Sequence, residues 1–233
     1  MKIQRSFSVM LVFLLFFSVS GSWAKNPPRT AAELISRNAE AWYAATHHPF
    51  LEKVKDGTLP FEAFTTWLGQ DYHFAGSLLD SQCLILLYSP RPDQSLLIGG
   101  LYALEDELSW FEANAATYGI DLTRPVLPTC RTYKDFLLAL QYKPYVVQIT
   151  CLWALEKAYF DGWTTALPGA PQYKIFVDRW TTPEFYDYVV ALEHSVDNAL
   201  SAASQEDRAE AEVYFLWIAR YEKDFWDMAL AAQ

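Results

Sequence analysis

Apolar residues in this chain recur every three or four positions, the period of a helix face turned towards a core. Between residues 60 and 88, Phe64, Trp67, Phe74 and Leu78 share one face, and Pro60 suits the first turn of their helix. The same spacing predicts helices over 30–46, 94–118, 132–141, 144–166, 173–180, 183–203 and 204–231. The punctuation between them is strong. Thr30 and Glu33 form a capping box, and Ser204 with Asp207 is a variant of it. Pro49 closes the first helix and Asp56-Gly57 makes a turn. Ser89-Pro90-Arg91-Pro92 and Leu167-Pro168-Gly169-Ala170-Pro171 break the chain, Gly119 is placed as a C′ residue, and 121–129 is a loop. No stretch alternates with period two, so the expected fold is an all-α bundle of about seven to nine helices in one domain.

Three polar side chains interrupt apolar stripes. Asp71 lies between Trp67 and Phe74, and Glu222 lies between Ile218 and Phe225 on the last helix. Cys151 lies in line with Val147, Leu155 and Ala158. A carboxylate on a buried face needs a hydrogen-bond partner or a ligand. Asp71 and Glu222 could each be tied into the core, and Cys151 could be a small hydrophobe. Three such residues together raise another possibility: a carboxylate that takes a thiol proton leaves a thiolate nucleophile. The surrounding aromatics, among them Trp67, Phe74, Tyr133, Tyr159 and Trp180, mostly fill a core, though some could flank a flat ring. The acidic run 105–107 reads most simply as a solvated face or a cap.

Composition narrows the classes. The 233 residues are 52% hydrophobic, enough for one substantial core, and carry a net charge of −10. With no basic run, nucleic acid is not an expected partner. Lys2 and Arg5 precede an apolar run, and Ser22-Trp23-Ala24 ends it with small residues at −3 and −1. Residues 1–24 are therefore read as a signal peptide, with an uncleaved anchor as the alternative, leaving a domain of 25–233 bound for secretion or an endomembrane lumen, without stable membrane insertion once the leader is cut. Three cysteines leave at least one unpaired within the chain. No histidine has a Glu three residues before it, and no cysteine pair has zinc-ligand spacing, so no metal is expected. His47 and His48 beside Pro49 are the one conceivable haem position.

The segments H-P-F-L-x-x-V-x-D-G-T-L-P (48–60), W-L-G-Q-D-Y-x-F (67–74) and E-x-x-F-W-D-M (222–228) resemble the TenA family, thiaminase-II-like proteins of haem-oxygenase-like fold. The likeness runs from about residue 30 to the C-terminus. L-E-D-E-L-S-W-F (104–111) and L-W-A-L-E-x-x-Y (152–159) look closest to the plant-type TENA_E branch. The resemblance implies hydrolysis at the methylene carbon of an aminopyrimidine, releasing hydroxymethylpyrimidine for thiamin salvage, with no cofactor and in a homo-oligomer, a dimer or tetramer. It implies that Asp71 binds the pyrimidine and that Phe74 stands where a ring-stacking tyrosine is common. Tyr133 and Trp180 match pocket aromatics, and Glu222 matches the glutamate serving the nucleophile. Cys151 matches the nucleophile of the cysteine-bearing branch, although the TENA_E branch typically lacks it. Leu155 replaces a tyrosine of the cysteine-bearing branch. Two routes stay open: a Cys151 thiolate, or Glu222 acting as acid and base, with Glu156 assisting. A carrier that binds a pyrimidine without turning it over is the main rival.

Overall fold

The computed structural model describes residues 26–231; the leader expected at 1–24 lies outside them. The described chain forms ten α-helices and one short 3-10 segment at Leu140–Tyr142, without strands. The helices are α1 (Ala31–Arg37), α2 (Ala39–Thr46), α3 (Pro49–Asp56), α4 (Phe61–Tyr88), α5 (Arg91–Tyr118), α6 (Pro128–Ala139), α7 (Tyr145–Thr165), α8 (Lys174–Arg179), α9 (Pro183–Ala202) and α10 (Gln205–Ala231). The long helices end where the sequence places their signals. Gly119 closes α5 in the left-handed region at φ 65°, which glycine reaches without a Cβ clash. Ser204 Oγ accepts from the Asp207 N–H at 3.0 Å, as a cap should.

Helix boundaries differ from expectation in four places, the first being α5, which begins at Arg91, three residues early and inside the expected break, with Pro92 in its first turn. The helix expected over 30–46 is two helices, because the Asn38 side chain donates to the Leu34 carbonyl at 2.9 Å and its backbone leaves helical geometry. The chain leaves helix after Thr46 as expected, but Pro49 then opens α3, a helix the spacing did not predict. A proline with no N–H to satisfy suits a first turn, and Phe50, Leu51 and Val54 supply the buried face. Pro128 starts α6 four residues before the expected position, for the same reason.

His48 is the N-cap of α3. Its Nδ1 accepts from the Phe50 N–H at 3.1 Å, and its Nε2 lies 3.0 Å from Asp227 Oδ1 on α10. With Nδ1 accepting, the proton sits on Nε2 and is donated to Asp227. Burial lowers the His48 pKa, partly opposed by the Asp227 contact. The position open to haem in the sequence is thus occupied by a helix cap. His48→Ala is expected to cost about 1–2 kcal/mol through loss of the cap, read as a lower urea midpoint with an unchanged m-value.

Helices α4, α7 and α10 form the centre of the bundle. α7 packs on α10 and α9, and α4 packs on α5 and α6. The middle of α7 is buried continuously from Val146 to Glu156. α5 is an outer helix, with only Leu97, Gly100 and Phe111 fully buried. Trp67 is the hub of the core. It stacks on Trp226 at 5.6 Å and meets Trp163 and Trp180 edge-on at 5.1 and 5.3 Å.

Candidate active site

A cavity of about 660 Å³ opens between α4, α5, α7, α9 and α10. Asp71, Phe74, Trp180 and Glu222, four of the six residues singled out in the sequence, line it. Tyr133 does not line it, yet reaches it indirectly: its hydroxyl donates to Glu222 Oε1 at 2.6 Å. Cys151 is fully buried and is not among the lining residues. All three cysteines are free thiols, Cys83 exposed and Cys130 and Cys151 buried.

Helical spacing puts each carboxylate in the cavity. Asp71 shares the α4 face of Phe74 and Leu78, which also line it. The Tyr159 hydroxyl, from α7, donates to Asp71 Oδ2 at 3.2 Å. Glu222 shares its α10 face with Phe225, which packs on Phe74 at 5.7 Å. Phe74 also lies 4.6 Å from Tyr133, so an aromatic wall backs the two carboxylates.

Two further acids that line the cavity are less exposed than the rest, Glu156 and Glu107. Glu156, one turn before Tyr159 on α7, lines the cavity and is nearly as buried as Glu222. Glu107, from α5, lines it too. This corrects the reading of 105–107 as a solvated face: Glu105 and Asp106 are exposed, whereas Glu107 turns inward. Glu107 Oε1 accepts from Trp180 Nε1 at 2.9 Å, and its Oε2 accepts from Arg179 Nε at 2.8 Å. Arg179 also stacks on Trp110 at 4.5 Å. One carboxylate therefore ties α5 to the α8–α9 junction and sets the plane of Trp180. Its signal in the sequence was the register of Leu104, Glu107, Leu108 and Phe111, one stripe masked by two neighbouring acids.

Burial and crowding change the chemistry of Asp71, Glu156 and Glu222. Burial pushes the Glu222 pKa up to about 7, opposed by the Tyr133 hydrogen bond. Burial pushes Glu156 up to about 8, reinforced by the charges of Glu222 and Glu107. Burial, then Glu107, raises Asp71 well above the usual carboxylate range, against the pull of Tyr159. Near neutral pH one of these two glutamates can therefore be ionised while the other keeps its proton. Burial also raises the Cys151 thiol pKa strongly, which favours the neutral thiol. Among the described residues no group of three or more His, Cys, Asp or Glu side chains has metal-holding geometry. No described helix is long and apolar enough to cross a membrane.

The family described as TENA/THI-4/PQQC matches residues 35–232. A Glycine max protein named "Probable bifunctional TENA-E protein" is 31% identical over 207 residues, covering 84% of this chain and 90% of that one. An aminopyrimidine aminohydrolase of Halalkalibacterium halodurans is 26% identical over 216 residues, covering 85% and 94%. Among solved structures, a TenA homologue from Pyrococcus furiosus superposes with a TM-score of 0.81 at 27% identity, over 85% of this chain and 98% of that one. A Shewanella denitrificans domain with a haem-oxygenase-like fold superposes at 0.64 and 18% identity, over 84% and 92%, a likeness of fold.

Proposed function

Because this chain belongs to the TENA/THI-4/PQQC family, we propose that it is an aminopyrimidine hydrolase of thiamin salvage, using the buried carboxylates of its cavity. The observation that carries this reading is the pairing of Glu156 and Glu222, with pKa values near 8 and 7, beside Asp71 in one aromatic-walled cavity. Asp71, aimed by Tyr159, holds the amino edge of the ring, and Phe74 and Trp180 flank its faces. Glu222, whose carboxylate form is favoured by the Tyr133 hydroxyl, takes a proton from water. The water oxygen bonds to the exocyclic methylene as the carbon–nitrogen bond breaks. Glu156 gives its proton to the departing amine, and hydroxymethylpyrimidine remains.

The burial of Cys151 and its raised pKa support this carboxylate route over a thiolate. The test uses residues 25–233, incubated separately with the aminomethylpyrimidine, its N-formyl derivative and thiamin, with the alcohol product followed by mass spectrometry. Cys151→Ser is expected to retain product formation. Its abolition, with binding intact, would make Cys151 the nucleophile. Binding by the wild-type protein without product would make it a carrier.

The basic and apolar leader supports entry into the secretory route, to the outside or to an endomembrane lumen. Exposed apolar side chains on the outer face of α5, Ile98 and Tyr102, support a homo-oligomer.

A further inference from the structure

Tyr188 of α9 lines the cavity and has no part in the steps above. Its hydroxyl lies 3.3 Å from Gln82 Nε2 of α4. The same nitrogen donates to the Leu97 carbonyl at 2.8 Å. A carbonyl can only accept, so that bond sets which end of the Gln82 amide faces Tyr188. The phenol oxygen therefore accepts from Gln82, and its own proton is left over. No other hydrogen bond joins that hydroxyl among the described residues. Gly100 of α5 makes the arrangement possible: a Cβ there would fall on both Tyr188 Oη and Gln82 Nε2.

The other phenol, indole and guanidinium donors lining the cavity are committed. Tyr159 donates to Asp71, Trp180 donates to Glu107, and Arg179 is held by Glu107 and Asp106. On the proposed route Asp71 and Glu222 accept, from the ring's amino edge and from water, and the proton of Glu156 goes to the departing amine. A free phenol proton in a cavity calls for an acceptor on the ligand, since an unused donor away from bulk water is costly. Resting on the reading above, we propose that Tyr188 is a substrate-binding residue that donates to a ring nitrogen of the bound heterocycle, held in place by Gln82 and Gly100. The cavity then reads a ring through both kinds of edge: amino groups by acids, and a bare nitrogen by the phenol. A carbocyclic ring of the same shape satisfies only the first.

Calorimetric titration tests this with two ligands that are not turned over: 4-amino-5-hydroxymethyl-2-methylpyrimidine and its benzene counterpart, (2-amino-4-methylphenyl)methanol. Wild-type protein is expected to prefer the pyrimidine. Tyr188→Phe should weaken pyrimidine binding about three- to tenfold, leave the benzene compound unchanged and melt near wild type. Equal losses for both ligands, or no loss for either, would overturn the assignment while leaving the pyrimidine reading standing. No binding of the pyrimidine by wild type would remove that reading and this inference together.

Discussion

Glu222→Gln is expected to lower kcat by about 10²–10⁴-fold while leaving pyrimidine binding within reach of wild type. The amide keeps the shape of the side chain and still accepts the Tyr133 hydroxyl, now 2.6 Å from Glu222 Oε1, but it cannot carry the proton. In the wild type the pH–rate profile should rise through about 7, as the base ionises, and fall above about 8, as the acid is lost. These are values of a coupled pair, so the profile reports the pair. In Glu222→Gln the rising limb should disappear. A substituted enzyme with an unchanged profile would sink the assignment.

The same substitution has a stability consequence of known sign. Glu222 has a folded pKa of about 7 against an ordinary 4.5, so the folded state holds its proton more tightly than the unfolded one. The stability this contributes is fully present below about 4.5 and is lost as pH rises through about 7. Its slope approaches 1.4 kcal/mol per pH unit between those limits. Glutamine carries no such dependence. Glu222→Gln should therefore gain stability relative to wild type as pH goes from 5 to 8 in urea titrations. Parallel curves would show that burial does not strain the ionised carboxylate.

Trp67→Ala carries the largest expected stability loss, about 3–5 kcal/mol. The indole is 1% exposed and touches aromatic side chains from α3, α7, α10 and the α8–α9 junction, including Phe50, Tyr159, Trp180 and Trp226. Removing it leaves a void that rigid neighbouring rings cannot fill. Because Trp67 Nε1 has no partner, Trp67→Phe gives up no hydrogen bond and should cost much less. The measurement is the urea midpoint of each variant. Similar losses for Ala and Phe would mean the indole nitrogen matters through a contact of its own.

Asp71 and Glu222 were legible before any coordinates because each lies in a clean apolar stripe, on α4 and α10, where one charge stands out. Glu156 was harder. Its helix is buried around most of its circumference, so periodicity gives no inward direction and cannot separate Glu156 from Cys151. Glu107 was hidden by two exposed acids beside it. Helix ends failed where one residue type has two meanings. Proline both stops a helix and opens the next, and Pro49 and Pro128 do the second. Asn38 broke a helix through its own side chain, a choice set by local hydrogen bonding. Tyr188 could not be found in one dimension, since its free proton depends on Gln82 and Gly100 from two other helices.

On the proposed route the two acids hold the charge of the cavity constant through turnover. Glu156 loses a proton to the departing amine as Glu222 gains one from water, so one carboxyl and one carboxylate remain with their roles exchanged. The amine and the hydroxymethyl compound then leave a cavity whose charge has not changed, and passing a single proton from Glu222 back to Glu156 readies it for the next ring.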